Sequence, residues 1–157
     1  MYCKRLSVMI CKVTIFFCKM VAFLFFFFTF ATMMRRFILA IGCNCGCMWP
    51  IRTAQRVLQG RISDISFTAP VHNVAVGMDG GWFDNLLAYG HTDMSLDDLM
   101  AFTKETEGVC GNSAVLRRHD IVMMDIDILL YGNEKLHIKD WNKTYIRKLM
   151  EDNNIII

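Results

Sequence analysis

The sequence predicts one α+β domain in the order β-α-β-β-α-β, preceded by a separate apolar block. Three observations carry this reading. The chain has 157 residues, a one-domain length. Short apolar runs bounded by Gly, Pro and Asn alternate with segments of helical periodicity. The hydrophobic excess, 54% overall, gathers before residue 35, and the remainder has a globular composition.

Taken in order, Arg36–Cys43 (RFILAIGC) is a short apolar run expected to be a buried central strand. Asn44 to Trp49 holds Gly46 and reads as a loop. Pro50 suits the first turn of a helix over Ile51–Gln59, which Gly60 would close. Arg61–Thr68, with Ile62, Ile65 and Phe67, is expected as a strand. Residues 70–81, with Gly77, Gly80 and Gly81, read as a long loop. Trp82–Thr92 is the next strand. Ser95 is placed to cap a helix, with Asp98 three residues on. Leu96, Leu99, Met100 and Thr103 then fall on one helical face, and Gly108 and Gly111 bracket its end. Asp120–Tyr131 (DIVMMDIDILLY) is the strongest strand signal, turned by Gly132-Asn133. Leu136–Ile138 reads as a short return strand, and Trp141–Met150 as a final helix with Tyr145 and Leu149 four apart. This order is the split βαβ, ferredoxin-like arrangement, with a mainly antiparallel sheet and both helices on one face.

The block before this domain, Val13–Met34, approaches the length of a bilayer span and is interrupted by Lys19. It reads as a signal anchor, as a signal peptide, or as an over-extended start before a cytoplasmic domain that opens at Met33 or Met34. A small-x-small cleavage site is absent, which disfavours the signal peptide. Positive charge on both sides gives little orientation. We expect a cytoplasmic protein, with membrane anchoring as the alternative. The net charge of +2 is small and dispersed, which argues against a nucleic-acid partner. Seven cysteines, an odd number, include the close set Cys43, Cys45 and Cys47. This is unlike a disulfide framework or a zinc motif, and the thiols are expected to be reduced.

Asp125 and Asp127 are two residues apart on a strand, so they share a face with Cα atoms ~7 Å apart. Two carboxylates so placed suit magnesium, which takes one or two acidic side chains together with phosphate oxygens. The competing reading is an edge strand with two solvated acids. Apolar surroundings favour the metal, because adjacent buried carboxylates repel without a cation. His119, after Arg117 and Arg118, is placed either to meet a phosphate or to lie on a surface loop. His72, His91 and His137 have no evident partner in the sequence.

Asp125-Ile126-Asp127-Ile128-Leu129-Leu130-Tyr131-Gly132 closely resembles the signature of the 6-hydroxymethyl-7,8-dihydropterin pyrophosphokinase family. Ile41-Gly42-Cys43-Asn44 resembles that family's opening strand. Phe83-Asp84-Asn85 resembles its pterin-binding segment, and Ser95-Leu96-Asp97-Asp98-Leu99 its helix start, with Glu107 further along. The resemblance runs over about residues 36–138. It implies a ferredoxin-like core and transfer of diphosphate from ATP to a pterin hydroxymethyl group in folate biosynthesis. Asp125 and Asp127 would hold two magnesium ions on the ATP phosphates, with Arg117 and Arg118 supplying positive charge. Phe83, Asn85, Gly42, Asn44, Glu107 and His119 would contact substrates. The chain departs from the pattern at Val122 and Asn112, where the family has arginines. Lys139-Asp140-Trp141 stands where it has Pro-His, and the family's C-terminal part is not matched. Those departures leave an alternative: a catalytically impaired relative that binds nucleotide, pterin or a protein partner.

Overall fold

The run RRFILAIGC forms β1 (Arg35–Cys43), the strand around which the sheet is built. In the computed structural model, which describes residues 34–74 and 81–157, every residue from Phe37 to Cys43 is buried. A strand covered on both faces needs apolar side chains in both of its alternating sets, and this run supplies them. β2 (Asp64–Phe67) and β3 (Val71–Val74) both pair with the outer edge of β4 (Trp82–Thr92). β2 lies along Ala88–His91 and β3 along Trp82–Asn85. β1 lies between β4 and β5 (Asp125–Tyr131), antiparallel to both. β6 (Glu134–Lys135) returns along the far edge of β5. The result is an α+β fold on a six-stranded antiparallel sheet of order β2-β4-β1-β5-β6, with β3 beside β4.

Among the described residues four α-helices accompany the sheet: α1 (Trp49–Arg61), α2 (Leu96–Val109), the short α3 (Ala114–Arg117) and α4 (Thr144–Asp152). Pro50 sits in the first turn of α1. Ser95 caps α2, its Oγ accepting from the Asp98 amide at 3.2 Å and donating to the Asp98 carboxylate at 2.7 Å. Ile51, Ala54 and Leu58 of α1 and Leu99 of α2 pack on Phe37, Leu39, Ile41, Leu86, Ile126 and Ile128. The alternate set, Ile38, Ala40, Leu87, Leu129 and Leu130, packs on Ile146 and Leu149 of α4. α1 and α2 therefore share one face, as expected. The final helix, α4, whose face the sequence left open, covers the other.

Several boundaries also differ from expectation. α1 passes through Gly60 and ends where Ile62 turns extended. β2 is shorter than Arg61–Thr68, and β3 lies within the expected 70–81 loop. β5 begins at Asp125 rather than Asp120, because Asp120 takes a left-handed backbone with φ 57° and the chain turns there. The return strand is Glu134–Lys135, not Leu136–Ile138, since His137 is also left-handed at φ 48°. A 3₁₀ turn, Asp140–Asn142, precedes α4, which starts at Thr144 rather than Trp141. On α2 the buried stripe is Leu99, Thr103, Thr106 and Glu107, whereas Met100 is exposed. The apolar block of residues 1–33 and residues 75–80 with Gly77 and Gly80 lie outside the described residues. Among the described residues no helix is long and apolar enough to cross a membrane.

Candidate functional site

A register shift in β5 sets the direction of the acidic pair. Ile38 of β1 faces Leu130, but Leu39 faces Ile128, so Leu129 is the extra residue of a bulge. Ile126 and Ile128 thus point to the α1/α2 layer, while Asp125, Asp127 and Leu129 point to the α4 side. Leu129 lies under α4; the two aspartates lie beyond the helix's start. There they line an open cavity of about 210 Å³.

The strand pairing brings the cavity's other walls together. Gly42 is flanked directly by Asn85 on β4 and Asp125 on β5, and Ala40 pairs with Asp127. Small side chains at both β1 positions leave a floor free. A methyl group on Gly42 would lie 2.7 Å from Asn85 Oδ1 and fill that floor. Phe83 and Asn85 line one side, and Asn85 is oriented by donating from Nδ2 to Asn73 Oδ1 at 2.8 Å. Arg117 and Val122 close another side. Arg117 reaches Asp125 Oδ1 at 3.3 Å. Lys143 and Tyr145, at the start of α4, complete the wall.

Of the residues singled out from sequence, Asp125, Asp127, Phe83, Asn85, Gly42 and Arg117 meet in this cavity. Four others do not line it. Asn44 acts as a clamp beside it: its Nδ2 donates to the Asp120 carbonyl at 2.7 Å, and its Oδ1 accepts from the Val122 amide at 2.6 Å. That clamp ties the end of β1 to the segment carrying Val122. Glu107 is buried behind β5, where its carboxylate accepts from the Ile126 amide at 3.0 Å. It also takes Lys104 at 2.5 Å and lies 3.7 Å from Arg117. The edge amide between the two aspartates would otherwise lack a partner, so Glu107 ties α2 to the strand that carries the pair. Arg118 and His119 are exposed on the turn after α3 and stand outside the cavity. Asn112, where a family arginine was expected, lies with Glu107 instead, its Nδ2 3.5 Å from that carboxylate.

Sequence reasoning missed Asn73, Lys143 and Tyr145 as lining residues, and His137 and Asp140 as neighbours of Asp127. His137 Nε2 is 3.9 Å from Asp127 Oδ1, and Lys143 Nζ is 3.0 Å from Asp140 Oδ1. Charge is concentrated here. Burial first, then the Asp125 charge, holds the Asp127 carboxyl above its ordinary value, against the opposing pull of His137. Burial and the neighbouring charges of Asp140, Asp127 and Asp125 push the Tyr145 hydroxyl up to about 12.

The described cysteines are free. Cys45 and Cys47 lie in a turn at Gly46, with sulfurs 3.1 Å apart. Cys43 is buried, and that burial pushes its thiol up to about 12. A thiol held neutral by burial, as at Cys43, is a poor nucleophile. No model of a known protein family matches the chain, and no curated protein matches it.

Proposed function

We propose that the chain is a magnesium-dependent transferase that moves the terminal diphosphate of ATP to 6-hydroxymethyl-7,8-dihydropterin, on a ferredoxin-like core, in the cytoplasm. One observation carries the reading. Residues far apart in sequence, Gly42, Phe83, Asn85, Asp125 and Asp127, each singled out by the resemblance, line the same cavity.

The donor set fits magnesium: two carboxylates two residues apart on one strand, both lining the cavity. Asp125 and Asp127 would hold two such ions, which neutralise phosphate charge and align the transferred group. Arg117 and Lys143, facing the cavity, take the phosphate-binding role expected of the missing arginines. Lys143 is steadied for this by Asp140. Phe83 offers a flat aromatic surface to the bicyclic ring. Asn85 offers an amide whose rotation is fixed by Asn73. With both substrates seated, the pterin hydroxymethyl oxygen bonds to the β-phosphorus as the bond from that phosphorus to the α-phosphate oxygen breaks. AMP leaves, and the hydroxyl proton passes to solvent. Orientation and electrostatics supply most of the rate.

The alternative, a non-catalytic relative, is favoured by Val122, an apolar residue in the cavity wall where the resemblance places an arginine. Calorimetric titration with a non-hydrolysable ATP analogue, with and without magnesium, tests the nucleotide site. Magnesium-dependent binding that vanishes in Asp125→Ala supports it; no binding at millimolar analogue overturns it. A turnover assay with the pterin then separates enzyme from relative.

A further inference from the structure

We propose that Asp127, His137 and Asp140 form a site for a late first-row divalent ion of the zinc or cobalt class, chemically distinct from the magnesium pair and sharing only Asp127 with it. One ligand atom from each of the three residues lies within 4.8 Å of the others. The three come from different elements. Asp127 stands on the central part of β5, His137 follows β6, and Asp140 opens the 3₁₀ turn. His137 takes a left-handed backbone at φ 48°, unusual outside glycine, and its carbonyl accepts from the Asp140 amide at 2.8 Å. That turn brings the imidazole and the Asp140 carboxylate back over the strand.

The ring nitrogen faces Asp127 at 3.9 Å, too far for a hydrogen bond. The gap between them is one that an ion bonded to both would draw closed. Asp140 keeps its second oxygen beyond the one that meets Lys143. The side chain of His137 is 50% exposed, so an ion reaches the site from solvent.

One imidazole nitrogen and two carboxylates make an N,O,O set. Magnesium demands near-octahedral oxygen ligation, whereas zinc and its neighbours take imidazole readily. Three protein ligands leave a fourth position for water, as in zinc sites that are not fully enclosed. The proposal does not rest on the pyrophosphokinase reading. If both hold, the ion competes with the magnesium pair for Asp127.

The test is a cobalt(II) titration of the full-length chain, stripped of metal and with its accessible thiols alkylated, followed by visible absorption. The expected result is a saturable spectrum in the parent. His137→Ala and Asp140→Asn should each weaken binding by at least about tenfold, no less than the loss of a supporting contact costs at known sites. Asp125→Asn, which removes a neighbouring charge but no ligand, should move the cobalt midpoint far less than His137→Ala does, although it would remove magnesium-nucleotide binding. Circular dichroism checks that each variant is folded. Equal titration of the parent and His137→Ala overturns the proposal. So does an Asp125→Asn loss as large as that of His137→Ala, which would place the ion on the paired aspartates.

Discussion

At Gly42 the neighbours across the sheet are Asn85 and Asp125, so even one methyl group intrudes on the side chain that lines the cavity. Gly42→Ala should leave the fold intact at a cost of about 1–3 kcal/mol, typical of overpacking. It should also turn Asn85 away from Asn73. Under the proposed function, KM for the pterin then rises more than KM for ATP; equal effects would mean that Asn85 does not read the pterin. Glu107 makes a different case. Glu107→Ala strands the Ile126 amide in a buried place, and about 1–3 kcal/mol should be lost in urea denaturation. Glu107→Gln, which keeps an acceptor, should lose less. Asp127 links the site to pH. Its folded-state carboxyl binds a proton more tightly than the unfolded one, chiefly through burial and then Asp125. Its contribution to stability is therefore full below the unfolded value and disappears as pH rises through the raised folded value. The unliganded protein should lose stability over that interval, and Asp127→Asn should remove the dependence. A denaturation series against pH checks the sign.

Among the elements, those with local signatures were legible and those set by tertiary packing were not. β1 announced itself as an uninterrupted apolar run, and α2 by the Ser95 cap. β5 was read too long, because Val122 and Met124 are as apolar as strand residues yet are buried in a connecting segment. β3 has four residues, Val-His-Asn-Val, and exists through its pairing with β4. α4 was recognised, but not its face. Ile146 and Leu149 give it an apolar stripe, and nothing in that stripe says which side of the sheet it meets. The answer lay in β1: its second set of buried side chains, Ile38 and Ala40, had to be covered. Leu149→Ala should accordingly cost roughly 2–5 kcal/mol, as deletions in packed cores do. A loss below about 1 kcal/mol would mean that α4 does not seal this face.

For the molecule as a whole, the candidate site joins residues of β1, β3, β4, β5 and the start of α4 in one cavity. The acidic pair was legible because its members lie two apart in sequence and strand geometry alone puts them on one face. Lys143, Tyr145 and His137 were not, since their place depends on the chain turning at His137 and crossing to the α4 face. Arg118 and His119 were expected beside the phosphates for their chemistry, yet the turn after α3 holds them in solvent. A ligand bridging these elements should stabilise the whole chain by mass action. At a nucleotide concentration one hundred times Kd, the gain is ~2.7 kcal/mol. Because Asp125 and Asp127 repel each other without a cation, neither magnesium alone at low concentration nor nucleotide alone should give this gain. Thermal denaturation of the parent should therefore show a rise in Tm of several degrees only when both are present. Asp125→Asn should lose that rise while keeping its own unliganded Tm at or above that of the parent, since it relieves the repulsion. An equal rise with nucleotide alone would show that the cations Arg117 and Lys143 bind phosphate unaided, and that the aspartates serve some purpose other than magnesium.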